Sequence, residues 1–325
     1  LVCRTELDIP ESVREKLALF CNVRKTSVIQ NKTADCLYAV PLMLEEEGLA
    51  REVCNHMRLD RYVPDNTEWQ KMIDNIRSIG DESVNIGIVG KYIQLEDSYL
   101  SVIESLHHAG FANKVKVNIK LIDCETINKE TAQEKLKGLQ GIIVPGGFGN
   151  RGIEGMIASA DYCREHNLPY LGICLGMQIA VIAFARSVCG FKDANSGEFD
   201  ENSTHKVIDF LPDQSESVNK GGTLRLGAYP CKIKKGTQMY KCYKTEEISE
   251  RHRHRYEFNN DFRSALEDSG LTLSGTSPDG NIIETVEYDK NNFYVGVQFH
   301  PEFKSRPNKA HPLFLGLVAA ALGEY

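Results

Sequence analysis

Apolar and polar positions change rhythm three times along the chain. Over residues 1–60 the runs are short. "LVCR" reads as a strand, and "ESVREKLALFCN" as a helix with Val13, Leu17, Phe20 and Cys21 on one face. "TSVIQN" reads as a second short strand. "ADCLYAVPLMLEEEGLAREVCNHM" is mostly helical, with an interruption expected at Pro41. Residues 61–83 are polar around a helical centre, Trp69 to Ile76, and read as a linker. From Val84 the rhythm becomes regular. "VNIGIVG", "KVNIKLID", "GIIVPGGFG" and "PYLGIC" read as strands, the third running into a glycine-rich turn. Between them lie the helical stretches "SYLSVIESLHHAG", with Gly110 as expected C-cap, "IEGMIASADYCREHN" and "LGMQIAVIAFARSV", and a further helix before Leu139.

This alternation predicts an α/β fold: a largely parallel central sheet with helices on both faces. After Arg186 the pattern shifts to "GTLRLGAYPCKIK", "LTLSGTSPDGNIIETVEY" and "FYVGVQFHPEF", which predict added antiparallel strands, with a hairpin signal at Asp279-Gly280. "PLFLGLVAAALGEY" reads as the closing helix. The expected organisation is a block over 1–60, a linker over 61–83 and a domain over 84–325. The chain opens on Leu1 inside an apolar run, as a piece of a longer protein would.

Composition adds exclusions. A net charge of −7 over 325 residues argues against a nucleic-acid or anionic-membrane partner. No apolar run reaches the ~18 residues of a membrane helix. Ten scattered cysteines without a CxxC pair read as reduced thiols in a cytoplasmic protein.

Cys174 stands apart from the other nine. Gly172-x-Cys174-x-Gly176 sits where an apolar strand meets a helix, the cysteine form of a nucleophile elbow. Such a turn lifts the sulfur out at the sheet edge and leaves it at a helix N-terminus, where the thiolate is favoured. The bland alternative is a Gly-rich turn with an incidental cysteine. In "GVQFHPEF", His300 and Glu302 at i and i+2 of a strand would share a side, giving a base with an orienting acid. Alone, they could equally be surface residues at a strand end. "PGGFGNRG" (145–152) is a glycine-rich turn that could expose backbone N–H groups as an oxyanion hole or a phosphate cradle; its spacing is not that of a P-loop. "RHRHRY" reads as a basic loop, and its arginines oppose a metal at His252 and His254.

Taken together, "VPGGFGNRG", "LGICLGMQ", "NSGEF", "GGTLRLG", "ERHRHRYEFN" and "VGVQFHPEF" resemble the class I (triad) glutamine amidotransferases, and among them the CTP synthase family. "REKLALFCNV" and "CLYAVPLMLEEEGL" resemble the end of that family's synthetase domain. Gly197 in "NSGEF" departs from the residue usual there. The resemblance implies Cys174 as nucleophile, His300 and Glu302 as its partners, and Gly147 and Leu175 as oxyanion donors. It implies glutamine binding by Gly147, Leu175, Gly176, Met177, Gln178, Glu198 and Arg255. Lys16 and the stretch Lys32, Thr33, Ala34 would be remnants of the nucleotide site, and Arg151 and Arg225 would be linked to GTP.

It further implies no cofactor or metal in this domain. ATP, Mg²⁺, UTP, CTP and allosteric GTP are expected to act through the whole, homotetrameric enzyme. This chain alone would show at most glutaminase activity. The competing readings are another class I amidotransferase, a γ-glutamyl hydrolase, or a catalytically dead scaffold for assembly.

Overall fold

The computed structural model describes residues 1–60, 63–210 and 225–325. The chain divides into two compact units, Leu1–Ile79 and Gly80–Tyr325. The first begins with β1 (Val2–Thr5), α1 (Glu11–Phe20) and β2 (Ile29–Lys32), and β1 and β2 pair in parallel. It continues through α2 (Val40–Glu46), α3 (Leu49–Met57) and α4 (Thr67–Arg77).

Two local expectations are corrected here. Pro41 does not interrupt a helix but sits in the first turn of α2, where a missing N–H costs nothing. The break comes at Gly48, whose φ of 82° is open to glycine and strained for other residues. The face of α1 expected to be apolar is not its buried one. Val13 and Phe20 are exposed and Ala18 is buried. Helix α4, inside the segment read as a linker, packs Met72 and Ile73 against Ala39. The Trp69 indole N–H donates to the Tyr38 carbonyl at 2.8 Å.

The second unit follows the βα alternation. It runs β3 (Ser83–Gly90), α5 (Leu100–Asn113), β4 (Lys116–Asp123), α6 (Ala132–Lys135), β5 (Gly141–Val144), α7 (Ile153–Glu165), β6 (Tyr170–Ile173) and α8 (Leu175–Ser187). Helix α5 passes through Gly110 and ends at Lys114, which takes the left-handed cap conformation. Gly110 is instead a packing position, since a Cβ there would meet the Val115 carbonyl at 2.8 Å.

Then come β7 (Asn195–Ser196), β8 (Lys206–Phe210), β9 (Arg225–Ile233), α9 (Gln238–Tyr243), β10 (Glu247–His254), β11 (Tyr256–Phe258) and α10 (Arg263–Asp268). The unit closes with β12 (Thr272–Thr276), β13 (Ile283–Glu287), β14 (Tyr294–Val297) and α11 (Pro312–Leu322). In "GGTLRLG", residues 221–224 lie outside the described residues.

Nine strands form one sheet in the order β10-β9-β12-β13-β14-β6-β5-β3-β4. From β14 to β4 every pairing is parallel; from β10 to β14 every pairing is antiparallel. A second sheet, β11-β8-β7, stands apart. Alternate residues of the parallel strands feed two cores. Ile142, Val144 and Tyr170 pack with α7 and α8, while Ile143, Leu171 and Ile173 pack with α5 and α11. Helices therefore cover both faces, as a parallel sheet requires. The buried rings of Tyr170 and Tyr294 stack at 4.6 Å. Tyr170 donates its hydroxyl to the Gly176 carbonyl at 2.8 Å, tying the first turn of α8 to the core.

Candidate active site

Strands β5, β6 and β14 end side by side, and the chemistry collects just beyond their carboxyl ends, the usual place in such sheets. Cys174 follows β6 and caps α8. Its φ of 52° with ψ of −99° is a strained conformation for a residue with a side chain. The flanking glycines are forced by close approach. A Cβ on Gly172 would lie 2.5 Å from the Gly176 backbone, and one on Gly176 would lie 2.0 Å from the Val144 carbonyl. The Cys174 N–H is held by the Val297 carbonyl of β14 at 2.7 Å.

His300 and Glu302 do come together, for a different reason than strand alternation. Strand β14 stops at Val297, and Glu302 lies in a short 3-10 turn, Pro301–Phe303. That turn brings its carboxylate Oε1 2.8 Å from His300 Nδ1. The His300 backbone N–H is held by the Arg251 carbonyl of β10 at 2.8 Å, and its ring stacks on Phe303 at 5.3 Å. Burial acts to lower the pKa of His300, but hydrogen bonding and charge from Cys174 and Glu302 outweigh it and push it up to about 10. Glu302 and the neighbouring sulfur thus favour the protonated ring.

Gly146 touches both partners. A Cβ there would lie 2.9 Å from His300 Cε1 and 3.7 Å from Cys174 Cβ. Gly147 is next to Leu175, 3.2 Å from its Cδ2 by the same measure. A cavity of about 210 Å³ opens on this group, walled by Gly146, Gly147, Phe148, Arg253 and Tyr92 with Cys174 and His300.

The glycine-rich turn is clamped from outside. Lys91, 2% exposed at the end of β3, donates to the carbonyls of Phe148 (3.1 Å) and Gly149 (2.7 Å), and burial pulls its pKa down. Glu198 accepts from the Gly149 N–H at 2.9 Å. Arg151 donates to the Lys91 carbonyl and lies over the Tyr92 ring. Lys91 was not foreseen, although a lysine directly after an apolar strand ending at the site edge was the available signal.

The remaining expectations scatter. Gln178 is buried and donates to the Tyr256 carbonyl (3.0 Å) and to Gln298 (3.3 Å). Met177 is buried in the core. In "RHRHRY" Arg251 to His254 are not a loop but the end of β10, and Tyr256 opens β11. Arg251 and Arg253 face out, while His252 and His254 face in. Arg253 reaches the cavity wall; Arg255, one step past the strand, is half-buried. Arg225 is buried, 2.5 Å from Glu284 and 3.6 Å from Glu257. Lys16 is exposed on α1, Lys32 pairs with Asp8 at 3.0 Å, the Thr33 N–H donates to the Thr5 carbonyl, and Ala34 packs against the small core under α4. These four belong to the first unit.

Residues 94–320 match the family Glutamine amidotransferase class-I, and residues 1–59 match CTP synthase N-terminus. The solved glutaminase domain of Trypanosoma brucei CTPS with bound acivicin is 40% identical and superposes with a TM-score of 0.70, covering 74% of this chain and 95% of that one. The chain belongs to the class I glutamine amidotransferases, in the CTP synthase family. CTP synthase of Methanocaldococcus jannaschii is 53% identical over 330 residues, and that of Clostridium beijerinckii 52% over 324. Each alignment spans the whole of this chain, which covers 61% and 60% of those relatives' length. The CTP synthase likeness therefore extends through both units, while the cysteine–histidine–glutamate group lies wholly in the amidotransferase part.

Proposed function

We propose that this chain hydrolyses L-glutamine to glutamate and ammonia, and that in the whole protein the ammonia aminates UTP to CTP. The observation that carries the reading is Cys174, held in a strained turn beside a histidine that Glu302 orients and whose protonated form its surroundings favour. The thiolate attacks the carboxamide carbon. The N–H groups of Gly147 and Leu175 receive the oxyanion, each such donor worth ~3 kcal/mol. The His300 imidazolium gives its proton to the departing ammonia, leaving a thioester on Cys174. His300 then takes a proton from water, whose oxygen attacks the thioester and releases glutamate. Glu198 and Arg255 bear the charges suited to the substrate's α-ammonium and α-carboxylate. Leu175 to Gln178 line that grip with backbone.

In the whole protein ATP with Mg²⁺ activates UTP. Ligands for Mg²⁺ would come from the part of the relatives' length that this chain does not cover. Lys16 and Lys32 to Ala34 would supply only an edge of that nucleotide site. Arg151, bonded to the Lys91 carbonyl, is suited to pass a GTP signal to the glycine-rich turn, and Arg225 would support it from the core. We place the protein in the cytoplasm and the intact enzyme in a homotetramer. Among the described residues no helix is long and apolar enough to cross a membrane.

The test is incubation with a glutamine-like chloroketone followed by mass spectrometry. A single label on Cys174, blocked by glutamine, supports the reading. Label elsewhere, or glutamate release that survives Cys174→Ala, overturns it.

A further inference from the structure

Gln298 lies between the end of β14 and His300 and is fully buried. Its side-chain nitrogen is 3.6 Å from the Cys174 sulfur, within range of an N–H···S hydrogen bond. Which end of a carboxamide faces a given neighbour must be argued from its partners. Here a short relay decides it. The Tyr256 carbonyl can only accept, so the Gln178 atom 3.0 Å away must be its NH₂ group. The second proton of that NH₂ points to Gln298 at 3.3 Å, where it needs an oxygen. The Gln298 oxygen is thereby committed, and its NH₂ is left for the sulfur. The backbone fixes the placement: the Gln298 N–H donates to the Glu284 carbonyl at 2.8 Å, and the Cys174 N–H to that of Val297 at 2.7 Å.

We propose that the Gln298 carboxamide donates a hydrogen bond to the Cys174 sulfur that stabilises the thiolate, and that Gln178 keeps it from flipping. A donor aimed at the charged form of an acid favours that form, and a buried one more so. An amide neither gains nor loses a proton in the working range, so this donor is constant while His300 changes charge through the cycle. It is present when the thiolate attacks and again when the thioester breaks and the sulfur must leave as an anion. Gln178 thereby acquires a positioning role distinct from backbone contact with substrate.

The inference rests on the glutaminase reading for its purpose, and its test separates the two. Iodoacetamide alkylates thiolates without needing a glutamine site. Its rate at Cys174, followed by mass spectrometry across pH, is compared in the parent, Q298M and Q178M. Methionine keeps the approximate volume and removes the donor. For Q298M we expect the pH of half-maximal rate to rise by about one unit, a tenfold slower reaction on the acid side. Q178M, which leaves Gln298 in place but free to turn, should shift in the same direction by less. If the Q298M profile keeps the parent's midpoint, with or without a uniform loss of rate, the proposal is overturned. Should Q298M fail to fold, an unshifted Q178M profile overturns it equally. A parent that takes iodoacetamide with the expected shifts between variants, yet takes no glutamine chloroketone, would sink the glutaminase reading and leave this hydrogen bond standing.

Discussion

Two buried histidine environments lie on neighbouring parts of the second unit and behave oppositely. On β10, His252 and His254 bond ring to ring at 2.9 Å. Burial, with the positive charge of Arg225 nearby, drives the pKa of His252 down to about 3 and that of His254 down as well. His300, also buried, is pushed up to about 10. Carboxylates are near in both places, but the β10 group shares them with Arg225. Burial holds the Glu257 carboxyl up to about 8 even against that guanidinium. Around His300, a carboxylate at hydrogen-bond distance and the Cys174 sulfur face the ring and outweigh its burial. Burial alone makes a histidine neutral; an undivided negative partner makes it charged.

The largest expected effect comes from removing the charged ring. His300→Gln should cut glutamate release by ~10³-fold or more, as loss of a triad base typically does. Activity within tenfold of the parent would break the contrast at its functional end.

Next is the cation that neutralises the other group. Arg225→Met leaves Glu257 and Glu284 buried without it, and loss of one partner of a buried pair costs about 3–5 kcal/mol. The urea midpoint of the second unit should fall accordingly; an unchanged midpoint would mean that Arg225 does not hold the group together.

A pH series sharpens the same point. The folded pKa of Glu257, about 8, is above its ordinary 4.5, so folding favours the protonated form. That contribution is complete below pH 4.5 and is lost as pH rises to 8. Over pH 6.5 to 8, 1.5 units at about 1.4 kcal/mol each should cost the parent about 2 kcal/mol, and Glu257→Gln should lack this loss. Melting temperatures of both proteins across that range give the answer, and parallel curves would contradict it. The smallest effect is expected at Tyr229, whose ring lies 4.5 Å from the Arg225 guanidinium and edge-on to His252. Tyr229→Leu should cost about 1 kcal/mol in a denaturant titration.

The parallel half of the sheet was legible in the sequence because β5 and β6 at its centre are buried throughout and read as apolar runs, with helical stretches between the strands. The antiparallel half was less so. Strand β10 hides its periodicity: its inward residues are Glu250, His252 and His254, which no hydrophobic pattern marks. Glu250 and His311 satisfy each other at 3.2 Å, so the polarity that disguised the strand is internal pairing. Strands β7, β8 and β11 and helices α9 and α10 went unmarked because none carries an unbroken apolar run. The spacing of His300 and Glu302 pointed to their partnership, but a proline-led turn makes it, and turns of that kind follow no two-residue period. Lys91 offered only its place directly after an apolar strand, and Gln298 was invisible because its role depends on what faces it across the fold.

The chain's one tryptophan, Trp69, lies in the first unit, its indole bonded to the Tyr38 carbonyl. Intrinsic tryptophan emission is therefore a private signal of that unit. Absorbance of the stacked phenols of Tyr170 and Tyr294 is a signal of the other. A single denaturation run read at two wavelengths would show whether the two parts come undone together or in turn, without a dye, a tag or a cut in the chain.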